Sequence, residues 1–238
     1  MTSATGTRAD RQLLRESGAL LLGGFVFATA VTVFFHPGGD EDTHEVIFAK
    51  YAASTSWKWV HLAQFVGVLA ALGGLIVLHL VLRSRAPRLS AFAAGLTVAT
   101  AAVWAVLQAV DGITLKQAVD AWVAADGPEK AVRFADAETV RWTEWGAQSY
   151  FRLLLGAALL LFGAAILTTR VLAGWVGWTA VLAGILSVAV GVDVAYNGLD
   201  SGVQRTAVPA FQVVVLVFAV GVVLTAARGQ TGPARHPT

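Results

Sequence analysis

Glu144, Gln148 and Arg152 recur at intervals of four, which puts all three on one face of one helix. Arg141 precedes Glu144 by three positions and Glu138 precedes Arg141 by three, so the charged stripe continues upward. A carboxylate, an amide and a guanidinium at this spacing can pair with one another, hold an anionic group or exchange a proton. A second stripe joins Asp193, Tyr196, Asn197 and Asp200 at i, i+3, i+4 and i+7. Asp111, Gln108 and His61 stand near the ends of other apolar runs. For Glu144 and Arg152 the plainer reading is a structural ion pair that fixes helix positions, with Asp193 and Asp111 as other partners for Arg152. The chemical reading gives Glu144, Asp193 or Asp111 as acid or base, with Arg152 or His61 as electrostatic partner.

The elements that must position these residues are membrane helices. Of the 238 residues, 56% are hydrophobic and 13% charged, against about 25% charged in an average soluble domain. Mean hydropathy is +0.67. This balance excludes a soluble enzyme domain and a disordered chain. The basic residues are scattered and net charge is only +2, which argues against a nucleic-acid partner. There is no cysteine, so disulfides, thiolate metal sites and cysteine nucleophiles are excluded.

A span needs about 20 mostly apolar residues. Six runs qualify: 17–35, 60–82, 89–110, 150–169, 171–196 and 207–227. The expected fold is an all-α, polytopic six-helix transmembrane bundle. Residues 1–16 and 228–238 form its tails. The arms at about 111–149 form an outer helical cap, with an amphipathic extension of span three broken at Asp126-Gly127-Pro128 and a second helix from near Glu129 into span four. Prolines are expected in connections, in the tail or, for Pro209, in the first turn of span six. Ala28-Thr29-Ala30 could be read as a cleavage site, but the apolar run continues to Phe35 and suits a retained span better.

Charge sets the expected orientation. Arg8, Arg11, Arg15, Arg83, Arg85, Arg88, Arg170, Arg228 and Arg235 fall on one side, opposed only by Asp10 and Glu16. That side is assigned to the cytoplasm, so the expected protein is a multi-pass cell-membrane protein with both termini cytoplasmic. Trp57, Trp59, Trp122, Trp142 and Trp145 read as an interfacial belt at the outer ends of spans, and Trp175 and Trp178 as its inner counterpart. The small residues Gly177, Ala180, Gly184, Ser187 and Gly191 should let span five pack closely on a neighbour.

Counting from the inner ends places His61, Gln64, Gln108, Asp111, Gln148, Arg152, Asp193, Gln204, Arg205 and Gln212 at one depth, under the outer surface. The inner half is almost wholly apolar. The expected vestibule is drawn from His61, Gln108, Gln148, Arg152, Tyr196, Asn197 and Asp200. His61 alone reads as an interfacial histidine meeting water. His61 and His79 lack histidine partners on spans three to six, which disfavours a di-haem protein. His36, His44 and His61 could join acidic loop residues around zinc, but no HExxH or HxxxH spacing supports it, so no metal site is expected. Asp40-Glu41-Asp42 reads as a solvated loop, and Asp111, Lys116 and Asp120 as surface pairs on an arm.

Asp111-Gly112-Ile113-Thr114-Leu115-Lys116, Asp120-Ala121-Trp122, Ala137-Glu138 and Arg141-Trp142-Thr143-Glu144-Trp145-Gly146 together resemble a group of small bacterial six-span membrane proteins without assigned activity. The resemblance implies a membrane protein and brings no catalytic residue and no known cofactor. The expected function is a non-enzymatic accessory protein or a binder of a lipid or small amphiphile in an outer-facing polar vestibule. The alternatives are a membrane-embedded enzyme on a lipophilic substrate and, more weakly, a small transporter. Expected partners are the lipid bilayer, the amphiphile, and a second copy or another membrane protein.

Overall fold

The computed structural model describes residues 8–39 and 42–228, and among these every regular element is helical. In chain order they are α1 (Arg8–Phe35), α2 (His44–Ala53), α3 (Trp57–Leu82), α4 (Pro87–Ala109), a π-helical turn (Val110–Leu115), α5 (Lys116–Ala124), α6 (Gly127–Thr169), α7 (Gly174–Asn197) and α8 (Gly202–Arg228). Six helices are long and apolar enough to cross a membrane: α1, α3, α4 with its extension, α6, α7 and α8. Neighbours pack in chain order, and α8 returns to α1, so the six form a closed ring.

Small residues set the tightest contacts in that ring. A methyl group added at Gly24 of α1 would come within 2.4 Å of the Gly67 carbonyl on α3. Across the ring, one at Gly184 of α7 would come within 2.8 Å of the Gly156 carbonyl on α6. The small-residue stripe on α7 therefore does face a neighbour, and that neighbour is α6. At the end that carries both termini, the ring closes on an apolar core that includes Leu14, Leu75, Leu78, Phe162, Ile166 and Val222.

The other end carries the cap. α5 and the first third of α6 form the two expected arms, and the break falls at Ala125–Asp126. The cap also contains α2, where the sequence suggested only a loop. Ile47, Phe48 and Tyr51 of α2 are wholly buried against Leu115, Val119, Trp122 and Ala137. Lys116 extends from α5 to donate to the Ala52 carbonyl at 2.8 Å, and also pairs with Asp120. The ten-residue α2 is too short to be stable alone, so this packing is what makes it a helix.

Three other expectations change. Trp57 and Trp122 are 1% and 8% exposed in the cap core rather than in an interfacial belt. Trp59, Trp142, Trp175 and Trp178 remain exposed. Pro209 lies inside α8, because the Ser201 hydroxyl accepts from the Gln204 N–H and starts the helix earlier than its apolar run. The Asp42 carboxylate is not merely solvated. It accepts from the backbone N–H groups of Leu199 and Asp200, tying the first loop to the α7–α8 turn. Asp40, Glu41 and the tails at 1–7 and 229–238 lie outside the described residues.

Candidate functional site

At the cap end, the ring encloses a cavity of about 360 Å³. Its upper wall carries polar groups from five segments: Thr32 and His36 at the end of α1, Gln64 on α3, Gln108 and Asp111 from α4 and the π-turn, Glu144, Gln148 and Arg152 on α6, and Gln212 on α8. Its lower wall is apolar, formed by Leu21, Phe25, Leu72, Leu75, Leu155, Leu159 and Phe218. From Gln64 to Leu75 on α3 and from Gln148 to Leu159 on α6 the chain advances eleven residues. That corresponds to a depth of about 16 Å, roughly half of a bilayer's hydrocarbon core.

The polar wall is built around the π-turn. A π-turn takes an extra residue and redirects the side chains that follow it. Here Gly112 sits so close to α3 that an added methyl would lie 2.6 Å from His61 Cβ. Trp57 donates its indole N–H to the Asp111 carbonyl at 2.9 Å, fixing the turn to the start of α3. The Asp111 carboxylate thereby faces His61, with Oδ2 3.0 Å from Nε2. His61 Nδ1 lies 2.8 Å from the Trp57 carbonyl, which can only accept, so Nδ1 carries the proton. The His36 ring lies 5.2 Å from the His61 ring and 5.1 Å from that of Trp57. Burial pushes the His36 pKa down to about 4, so its imidazole is neutral at pH 7.

Glu144 is 4% exposed and accepts from Arg141 at 2.6 Å. Arg141 is 2% exposed, and its guanidinium lies 5.6 Å from the Tyr51 ring centre. The observed partner of Glu144 on the stripe is therefore Arg141. Two positively charged residues flank Glu144 on its helix, and the cap buries the upper pair together. Arg152 instead lies over Phe211, 5.0 Å from the ring centre. Among the described residues it has no carboxylate partner, and its Nε is buried without a hydrogen bond. Gln108 Oε1 is likewise buried and unpaired.

The second stripe lies elsewhere. The Asp193 carboxylate accepts from Asn197 at 2.8 Å, Gln204 at 2.9 Å and the Ser201 hydroxyl. It ties the end of α7 to the start of α8 and does not line the cavity. Tyr196 is 84% exposed, and Asn197 is exposed. Asp200 offers its backbone N–H to Asp42 and lies 3.8 Å from Arg205. So Asp111, Gln108, Gln148, Arg152 and Glu144 converge on the cavity, and His61 stands behind Asp111. Asp193, Tyr196, Asn197 and Asp200 do not join them. His61 is 2% exposed, not an interfacial histidine meeting water, because the π-turn and Trp57 cover it.

The sequence did not single out Thr32, and it placed His36 only in a zinc grouping that its spacing did not support, not in the vestibule. Both lie at the outer end of the first apolar run, at the level already assigned to His61 and Asp111, and that shared level was the available signal. The grouping of His36, His44 and His61, weighed and set aside on spacing, is not what the fold assembles. His44 turns to Glu138 at 2.9 Å, and Asp111 takes its place beside the other two. No protein-family model, curated protein or solved structure matches the chain.

Proposed function

We propose that this integral membrane protein binds a lipid or small amphiphile with an acidic headgroup. The headgroup sits at Arg152, and the tail lies among Leu72, Leu155, Leu159 and Phe218. The single observation that carries this reading is a partly buried guanidinium, without a carboxylate partner among the described residues, at the boundary between the polar and apolar walls of one cavity. A charge without a partner at membrane depth is costly, and an anionic ligand would offset that cost. Gln108, Gln148 and Gln212 supply neutral hydrogen-bonding groups around it. The cap is placed on the outer side of the cell membrane and both termini in the cytoplasm, supported by the arginines at the opposite end of the helices.

A second reading is an enzyme on a lipophilic substrate, with Asp111 or Glu144 as acid or base. It is favoured by their sharing the cavity, which Asp193 does not. Transport is not favoured, because the cavity floor rests on the apolar core of the ring.

The test is native mass spectrometry and extraction analysis of the full chain after mild solubilisation. The expected result is one acidic amphiphile per chain, lost in Arg152→Gln and in the cavity-filling Val215→Phe. A folded wild-type protein that carries no amphiphile, and takes up none from mixed anionic vesicles, would refute the reading.

A further inference from the structure

We infer that His36, His61 and Asp111 form a binding site for one divalent transition-metal ion of the zinc class, open to the cavity. One ligand atom from each residue lies within 4.8 Å of the others. The three come from separate segments: the end of α1, the first turn of α3 and the π-turn. Their grouping is therefore a product of the fold, which explains why no sequence spacing announces it.

The hydrogen bonds point the same way. Because His61 Nδ1 must donate to the Trp57 carbonyl, neutral His61 presents a lone pair at Nε2. That lone pair faces a carboxylate oxygen 3.0 Å away. Two acceptors at this distance need a positive charge between them, either a proton or a cation. A ring N–H held by a backbone carbonyl is also the usual support for a metal-ligating histidine. A second, independent observation is Asp111 Oδ1, which is buried and has no hydrogen-bond partner among the described residues. His36 is neutral, as a ligand must be.

Ligands about 2.0–2.1 Å from zinc in a tetrahedron stand roughly 3.4 Å apart. The His61–Asp111 pair at 3.0 Å already has nearly that spacing, and with all three ligand atoms within 4.8 Å of one another, His36 needs to approach by at most about 1.4 Å. Two imidazoles and one carboxylate leave a fourth position free, the pattern of zinc sites that take water or a ligand. His36 and Asp111 line the cavity, so the free position faces it. Its natural occupant is an oxygen ligand: water, a carboxylate or a phosphate.

The inference does not depend on amphiphile binding, and its test uses metal alone. The full chain in detergent is stripped with a chelator and titrated with Zn²⁺ and Co²⁺. We expect one equivalent of either ion, with visible ligand-field bands for Co²⁺. His36→Ala and Asp111→Asn should each weaken binding at least tenfold. His44→Ala, also in the cap but outside the cluster, should leave it unchanged. X-ray absorption of the zinc-loaded wild type needs no variant and should show two imidazole ligands plus oxygen. Less than a tenth of an equivalent bound by folded wild type, or a spectrum with fewer than two imidazoles, would overturn the inference. So would undiminished binding in folded His36→Ala and Asp111→Asn. Because no lipid enters the assay, an empty amphiphile pocket and an empty metal site are separate failures.

Discussion

Gly24 and Gly23 are adjacent on α1, yet substitution should move stability in opposite directions. A Cβ on Gly24 would stand 2.4 Å from the Gly67 carbonyl oxygen and 2.5 Å from the Ala71 nitrogen, both backbone atoms of α3. No rotamer change relieves a contact with backbone, so α1 and α3 must separate by about 1 Å to reach ordinary van der Waals distance. Overpacking of this kind costs about 1–3 kcal/mol, and the rigid neighbours put Gly24→Ala at the upper end. Alanine regains up to about 1 kcal/mol through its helix preference, leaving a net loss of about 2. A Cβ on Gly23 meets nothing within 4 Å, so Gly23→Ala keeps only the gain. The two variants should therefore differ by about 3 kcal/mol. The assay is reversible unfolding in mixed micelles with increasing denaturing detergent, read by circular dichroism. Equal stabilities for the two variants, or a destabilised Gly23→Ala, would refute the packing argument.

Glu144→Gln removes the carboxylate that lies 2.6 Å from the buried Arg141 guanidinium. Breaking one partner of a buried pair costs about 3–5 kcal/mol, and the same unfolding assay should register a loss of that order. Asp193→Asn exchanges an acceptor of three side-chain bonds for an amide that must present donors to some of them. It should lower stability by about 1–3 kcal/mol while amphiphile affinity per folded molecule stays within twofold; a tenfold loss of affinity would return Asp193 to the site. The chain has no cysteine, so single cysteines introduced at Arg85 and Lys130 report topology directly. Impermeant maleimide added to intact cells should label position 130 and spare position 85, and the reverse pattern would invert the proposed orientation.

The apolar runs and the Asp126-Gly127-Pro128 break identify the long helices because each signal is local: about 20 residues of one character, then a turn. The site is not local. Arg141 and Gln148 flank Glu144 at almost equal distances along the helix, and only the cap, with Tyr51 above, selects the upward pair. Asp193 looked equivalent to Glu144 by depth. It differs because Ser201 and Gln204, across a short turn, satisfy it before anything in the cavity could. α2 escaped detection because its helix depends on burying Ile47, Phe48 and Tyr51 against Leu115, Val119, Trp122 and Ala137, far along the chain. The π-turn has no strong sequence mark beyond Gly112, yet it decides where Asp111 points. Depth along each span was thus readable from the residues, and rotation about each span was not.

At 43 residues, α6 is one uninterrupted rod about 64 Å long, twice the thickness of the hydrocarbon core it crosses. A protein of 24.9 kDa otherwise hidden in a micelle offers little for particle alignment in electron microscopy. The corner at Ala125–Asp126, where this mast begins, is the place to splice in a rigid marker domain. A helix shared between marker and membrane segment would pass its orientation straight to the transmembrane ring.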